Sequence, residues 1–270
     1  MNKKSSIALI GAGAMGGALL KGWIRDDSIT PSQSAVFDPG LGEGMSALCR
    51  EHAIAVNPMG MGPFDAMIIA VKPQMAAKIL PAHIGLAKDA IVISVMAGTS
   101  IENLSQMLAG ATAIARAMPN LPAAVGRGVT GVFAGSAIDG AGRTMIDSLL
   151  RASGEVVWVD REEDINAVTA ISGSGPAYYF LLTEALAQAG EGLGLSPDAS
   201  AKLARATLCG AGALMDVETR SPEEMRHAVT SPGGTTQAAL DILDGDAHAL
   251  RTIMQQAVDA AMKRAQALTK

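Results

Sequence analysis

The chain has 270 residues, of which 49% are hydrophobic and 17% are charged, so a large core is expected and disorder is not. Its formal net charge is -5 and it has no basic runs, which argues against nucleic acid or an anionic membrane surface as partners.

Strand patterns alternate with helical patterns up to about residue 160. The predicted strands are SIALIG (6–11), SAVFD (34–38), AMIIAV (66–71), AIVISV (90–95), TAIARA (112–117), GVTGVFA (128–134) and EVVWVD (155–160). Helical patterns at 15–24 and 140–153 lie between them. The continuous apolar run at 66–71 is typical of a parallel strand covered on both faces. This alternation predicts a doubly wound α/β domain over residues 1–160.

The first predicted strand leads directly into a glycine pattern at the start of a helix. Gly11, Gly13 and Gly16 have the Gly-x-Gly-x-x-Gly spacing. In this spacing the first glycine permits a tight turn, the second lets the backbone approach a pyrophosphate, and the third lets helix and strand pack closely. The pattern indicates a dinucleotide cofactor, and the candidate binding segment is Gly11, Ala12, Gly13, Ala14, Met15 and Gly16.

A carboxylate follows the second predicted strand. Asp38 stands 22 residues after Gly16, near the spacing of the acid that binds a ribose 2′-hydroxyl, although Asp-Pro-Gly is equally typical of a plain turn. A carboxylate repels a 2′-phosphate, Pro39 lacks an N–H, and the next basic residue is Arg50. If Asp38 faces the ribose, NADH is preferred over NADPH, so the cofactor is NADH or NADPH with NADH expected.

Three further segments follow or end predicted strands: AVKPQ (70–74), SVMAG (94–98) and RAMPNLP (116–122). Because ligands bind outside the carboxyl ends of parallel strands, we expect these segments to line the cofactor. Ala70, Lys72 and Asn120 are candidates within them.

Helical patterns replace strands from residue 161 onward, at about 165–190, 196–216, 221–229 and 246–268. Ser196 and Ser221 each precede a proline and acidic residues, which is typical of helix starts. The sequence therefore predicts a second, all-α domain over residues 161–270.

Two stretches interrupt this helical part. SPGGTT (231–236) is typical of a helix start that Thr235 or Thr236 caps, and equally of an anion site formed by bare backbone N–H groups. ISGSGPAYYF (171–180) places glycines and a proline within a helical pattern, which fits a kink, a tight helix crossing or a ligand contact.

Several kinds of site are not expected. The four histidines show no metal-ligand spacing, and there is no nucleophile elbow and no pair of carboxylates, so a nucleotide cofactor would supply the reactivity. Cys49 and Cys209 lie far apart, which favours reduced thiols in a cytoplasmic protein. We expect no signal peptide, no membrane span and no bound metal.

Together the segments GAGAMGGAL, AVKPQ, RAMPNLP, AISGSGPAYYF and VTSPGGTTQAALDIL resemble, in this order, the pyrroline-5-carboxylate reductase family of proline biosynthesis. The resemblance implies an N-terminal Rossmann domain and a C-terminal helical domain that dimerises. It also implies dimers that gather into larger homo-oligomers, and hydride transfer from NAD(P)H to a cyclic imino acid, giving L-proline.

The resemblance also assigns roles to particular residues. Thr236 matches the threonine whose hydroxyl lies beside the ring nitrogen, and is the candidate catalytic residue. The substrate candidates are Ser231, Gly233, Gly234, Thr235 and Thr236, with Ser174 and Gly175. Asn57 matches an asparagine near the adenosine ribose. The wall along the cofactor matches Val71, Lys72, Pro73, Met96 and Ala97.

Two rival functions use the same fold. A β-hydroxyacid dehydrogenase would need a lysine base in the first long helix of the second domain, and residues 165–190 contain no lysine. A non-catalytic NAD(P)-sensing protein would bind cofactor without turnover.

Overall fold

The computed structural model describes residues 4–269, which form two compact units. One unit contains residues up to Ser174 together with those from Ala261 onward, and the other is Gly175–Ala260. These units are defined by compactness alone. The domain boundary expected between residues 160 and 161 remains a prediction.

The first unit is built on a single eight-stranded sheet with the order β3-β2-β1-β4-β5-β6-β7-β8. The strands are β1 (Ile7–Ile10), β2 (Ala35–Phe37), β3 (Ala55–Val56), β4 (Ala66–Ile69), β5 (Ile91–Ser94), β6 (Ile114–Met118), β7 (Gly128–Ala134) and β8 (Gly154–Trp158). Strands β1 to β6 pair in parallel, whereas β7 runs antiparallel to β6. The predicted α/β fold is confirmed, with the two-residue β3 as an addition.

The chain reverses its direction of travel across the sheet between β3 and β4. From β1 it moves outward through β2 to β3, and then returns to place β4 on the other side of β1. The carboxyl ends of β1 and β4 therefore flank the switch point at which doubly wound sheets bind their ligands.

Helices cover both faces of this sheet and form the whole of the second unit. They are α1 (Ala14–Arg25), α2 (Glu43–Glu51), α3 (Pro73–Ile79), α4 (Ile84–Ala87), α5 (Ile101–Met107), α6 (Gly140–Arg151), α7 (Asp164–Val168), α8 (Gly175–Gly192), α9 (Pro197–Val217), α10 (Pro222–Ala228), α11 (Thr235–Asp244) and α12 (Ala249–Leu268). The starts predicted at Ser196 and Ser221 are confirmed, because each hydroxyl accepts a hydrogen bond from the backbone N–H three residues later.

The core of the first unit lies on both faces of the sheet. Along β1, Ile7 and Leu9 pack with Trp23 of α1 on one face, while Ile10 packs on the other. The Trp23 indole N–H donates to the Leu149 carbonyl oxygen at 2.7 Å, which joins α1 to α6. This packing fixes the start of α1 relative to the end of β1.

The second unit leaves much of its apolar surface uncovered in a single chain. Large apolar side chains on α8 and α9 are exposed, among them Tyr179, Phe180, Leu181, Leu182, Leu186, Leu203, Leu214, Met215 and Val217. Helices α8 and α9 cross closely, since a Cβ on Gly190 would lie 2.8 Å from the Ser200 hydroxyl. Within residues 4–269, no helix combines the length and apolarity needed to span a bilayer.

Candidate functional site

The glycine turn after β1 has no room for side chains at two of its three glycines. Gly11 has a φ of +89°, and a Cβ there would lie 2.9 Å from Val71 Cγ1 and 3.0 Å from the Ala70 carbonyl oxygen. A Cβ on Gly16 would collide with the Gly11 carbonyl oxygen. The turn after β1, the start of α1 and the end of β4 thus pack backbone against backbone at the switch point.

The N-terminus of α1 is open at this turn. Gly13 is the N-cap residue. Among the described residues, no side chain caps the helix and a Cβ on Gly13 would meet no atom within 4 Å. Ala14 is also exposed and Met15 is partly exposed. Uncapped N–H groups and the helix dipole favour an anion here, so this segment fits the pyrophosphate of a dinucleotide.

Asp38 holds the glycine turn through its carboxylate. Its Oδ2 accepts a hydrogen bond from the Ala12 N–H at 2.9 Å, and its Oδ1 accepts one from the Gly40 N–H at 2.9 Å. The Asn57 side chain pairs with the Asp38 backbone, accepting from its N–H at 2.9 Å and donating to its carbonyl at 3.0 Å. The structure therefore brings Asp38 and Asn57 together beside the predicted cofactor turn.

The segments after β4 and β5 lie at the same edge of the sheet. Val71 is partly buried against Gly11, while Lys72 and Pro73 are exposed and Pro73 begins α3. Met96 is only 4% exposed as a whole residue and packs into the core, whereas Ala97 is exposed. The cofactor wall expected at Met96 and Ala97 stays a prediction, and of the two residues Ala97 is the accessible one.

The segment at the end of β6 is braced internally. Asn120 is buried, and its Oδ1 accepts a hydrogen bond from the Val129 N–H at 3.0 Å.

Strand β6 continues to Met118, so Arg116 lies inside the strand. Its side chain is 3% exposed and pairs with Glu162 at 3.0 Å. Sequence reasoning missed this ion pair, although an arginine within an apolar strand was the available signal.

The SPGGTT turn forms the start of α11. Gly233 has a φ of +73°, and Gly234 is the N-cap residue and donates to the Ser231 carbonyl oxygen at 2.9 Å. The expected threonine cap is wrong, because Thr235 and Thr236 lie inside the helix and no side chain caps it. The turn instead presents uncapped backbone N–H groups beside exposed hydroxyls, which is the arrangement that favours a bound anion.

The glycines of ISGSGPAYYF coincide with a change of helix type. Residues Thr169–Gly173 form a π-helical segment, and Ser174 donates its N–H to the Thr169 carbonyl at 2.8 Å. Gly175 then begins α8, with Pro176 in its first turn, where a proline costs no hydrogen bond. A π-helical segment is therefore present where the sequence left a kink, a tight helix crossing and a ligand contact open, and π-segments are frequent at functional sites.

The chain matches two protein-family models. Residues 162–268 match the model described as pyrroline-5-carboxylate reductase dimerisation, and residues 6–98 match the one described as NADP oxidoreductase coenzyme F420-dependent. The helical part is therefore a homo-oligomerisation domain, and the first 98 residues contain a nicotinamide-cofactor domain.

Full-length relatives agree with these matches. The pyrroline-5-carboxylate reductases of Pseudomonas aeruginosa and Haemophilus influenzae are each 35% identical, with 98% and 96% of this chain and 97% and 96% of theirs covered. The solved reductase of Coxiella burnetii is 33% identical, with a TM-score of 0.90 over 99% of this chain and 100% of that one. A Plasmodium falciparum structure titled as having NADP bound is 25% identical, with a TM-score of 0.81 over 98% of each chain. The chain belongs to the pyrroline-5-carboxylate reductase family.

Proposed function

We propose that this protein reduces 1-pyrroline-5-carboxylate to L-proline with NADH or NADPH. The observation that carries this proposal is the start of α11, where Gly233 and Gly234 leave the helix N-terminus uncapped next to the Thr236 hydroxyl. A substrate with a carboxylate and a ring nitrogen requires an anion site and one nearby hydrogen-bonding group.

Each part of the turn has a role in this reaction. The backbone N–H groups at the α11 N-terminus, with Ser231 and Thr235, hold the substrate carboxylate. Thr236 orients the ring nitrogen, and Ser174 and Gly175 contact the substrate from the junction with α8. When bound, NADH or NADPH would supply the hydride that the imine carbon accepts. Protonation of the imine nitrogen before transfer makes that carbon electrophilic, so no strongly acidic side chain is needed.

A spectrophotometric assay of the reduced coenzyme tests the function directly. We expect the absorbance of NADH or NADPH to fall when 1-pyrroline-5-carboxylate is added. In the reverse reaction, with 3-hydroxybutyrate and NAD⁺, we expect no NADH absorbance to appear. Turnover of the hydroxy acid would favour the dehydrogenase alternative. Coenzyme binding without any turnover of the imine would favour a sensing protein.

We further propose that NADH is preferred over NADPH. The Asp38 carboxylate is fixed beside the cofactor turn by the Ala12 and Gly40 N–H groups, so its charge has a defined position. Each oxygen keeps a second lone pair for a ribose hydroxyl, whereas a 2′-phosphate there would meet like charge.

Asp38→Asn tests this preference, because asparagine removes the charge and keeps one oxygen for the Ala12 N–H. We expect the ratio of kcat/KM for NADH to that for NADPH to exceed one in the wild type, and to fall about tenfold in the variant. Asp89→Asn is the matched control, since Asp89 is exposed and precedes β5, at the opposite edge of the sheet. A wild type that prefers NADPH, with an unchanged ratio in Asp38→Asn, would contradict the assignment.

We also propose that the dimers assemble into larger homo-oligomers and that the protein is cytoplasmic. The exposed apolar surface on α8 and α9 supports homo-oligomerisation, because a soluble unit rarely leaves so many large apolar side chains uncovered, and the step beyond a dimer rests on the family resemblance. The free thiols of Cys49 and Cys209 support the cytoplasmic location, since a reducing compartment keeps cysteines unpaired.

A further inference from the structure

The loop between β5 and α5 is held at both of its ends. At its start, the Val95 N–H donates to the Ile69 carbonyl at 3.0 Å and the Met96 N–H donates to the Ser94 hydroxyl at 3.3 Å. At its end, the Ile101 N–H donates to Glu162 Oε1 at 2.8 Å. Residues 95–100 thus form a short, tethered loop.

The middle of this loop rests on the last described turn of α12. Gly98 has a φ of +66°, and a Cβ there would lie 2.7 Å from the Leu268 carbonyl oxygen and 3.2 Å from Leu268 Cβ. Backbone therefore meets backbone, and the loop cannot move toward α12 without displacing it. Leu268 is 49% exposed as a whole residue, so its burial contributes little to holding the turn in place.

A side-chain hydrogen bond ties the turn down instead. The Thr269 hydroxyl lies 3.0 Å from both Asn166 Oδ1 and the Ala265 carbonyl oxygen, so its one proton is shared between these two acceptors. Asn166 is buried in α7. Ala265, one turn earlier, is also buried. Since helix ends fray unless something holds them, the bond to Asn166 and the burial of Ala265 are the contacts available to keep Leu268 against Gly98.

We propose that Thr269, bonded to Asn166, is a positioning residue for the coenzyme: it holds Leu268 against Gly98 and so fixes the loop that carries Met96 and Ala97. The proposal rests on the proposed function only in placing Met96 and Ala97 along the coenzyme. We call Thr269, Asn166, Leu268 and Gly98 the clamp. These residues are remote from the SPGGTT turn in sequence, and the proposal assigns them no contact with the substrate.

Thr269→Val is the direct test, with Thr144→Val as its matched control. Both hydroxyls lie near the carbonyl oxygen four residues earlier, at 3.0 Å for Thr269 and 2.9 Å for Thr144. Among the described residues, only the Thr269 hydroxyl of the two also has a partner distant in sequence, Asn166. The Kd for NADH and for NADPH is measured on the full chain by the fluorescence of the reduced nicotinamide, without substrate.

We expect Thr269→Val to raise both Kd values about three- to tenfold, as the loss of one hydrogen bond predicts. At saturating coenzyme, kcat should stay within about twofold, and Tm should fall no further than in Thr144→Val. Thr269→Ser, which keeps the hydroxyl, should restore the wild-type Kd. In an Asn166→Ala background, Thr269→Val should have no further effect.

Equal Kd values in the two valine variants would overturn the clamp, as would additive effects of Thr269→Val and Asn166→Ala. Because these titrations use no substrate, they are independent of the imine assay. A wild type that binds coenzyme and fails to reduce the imine would overturn the proposed function, while the Thr269 titrations would still decide the clamp.

Discussion

Replacing Thr236 with alanine is expected to lower kcat about ten- to a hundredfold while leaving coenzyme affinity nearly unchanged. Loss of one hydrogen bond in a positioned site costs about 1.4–2.7 kcal/mol of transition-state stabilisation, which corresponds to this ten- to a hundredfold change in rate. Thr236 lies in the first turn of α11, one residue beyond the start of the helix, and is exposed there. Steady-state kinetics with the cyclic imine, together with coenzyme titration, measure both quantities.

Thr235→Ala is the neighbouring control, because Thr235 is exposed in the same turn and is assigned to the carboxylate. It should raise the KM for the imine more than it lowers kcat. Thr236→Ser should recover most of the activity. If Thr236→Ala has wild-type kinetics, the threonine has no part in the reaction.

Glu162→Ala is expected to destabilise the protein by about 3 kcal/mol, because it leaves the buried Arg116 guanidinium without its carboxylate partner. Oε1 of Glu162 accepts from both the Arg116 guanidinium at 3.0 Å and the Ile101 N–H at 2.8 Å. Arg116 is only 3% exposed, and its Nε has no hydrogen-bond partner among residues 4–269. Urea unfolding at fixed protein concentration measures the change, since oligomerisation makes apparent stability concentration-dependent.

Glu163→Ala is the control for this change, because Glu163 is the exposed neighbour of Glu162. It should alter the free energy of unfolding by less than about 0.5 kcal/mol. Combining Glu162→Ala with Arg116→Leu should recover part of the loss, since a buried pair tolerates joint replacement better than the removal of one partner. If Glu162→Ala lowers the free energy of unfolding no more than Glu163→Ala does, then groups other than Glu162 compensate the charge of Arg116.

Local sequence patterns predicted most of the regular structure. The strand expected at residues 128–134 is observed with the same bounds, and the helix starts at Ser196 and Ser221 have the expected caps. The strand pattern and the helix caps both depend on residues that are only a few positions apart in the sequence. The strand Ala55–Val56 was missed because two residues carry no periodicity, and it exists through pairing with β2.

The start of α11 shows where a local rule fails. Threonine is a favourable cap, and two were available. The positive φ at Gly233 turns the chain early enough that Gly234 takes the cap position and the threonines enter the helix. Sequence identified the turn and its glycines correctly, but the cap depends on one backbone angle.

Contacts between distant residues could not be predicted from the sequence at all. Arg116 inside an apolar strand signals a buried partner, yet Asp160, Glu162, Glu163 and Asp164 are equivalent candidates by sequence alone. The bond between Asp38 and the Ala12 N–H likewise follows from the pairing of β1 with β2. For the candidate site, sequence therefore identified the strand-end segments, and the sheet decides which of their atoms meet.

The uncapped start of α11 also links folding to the catalytic cycle. With no side chain to satisfy its first N–H groups, this helix lacks the contribution of about 1 kcal/mol that a cap usually makes. Under the proposed function, the substrate carboxylate takes the place of the missing cap, so each turnover completes and then reopens the end of a helix. If the substrate binds there, we expect stability to rise with substrate concentration, because ligand that binds only the folded state adds to stability in proportion to the logarithm of its concentration.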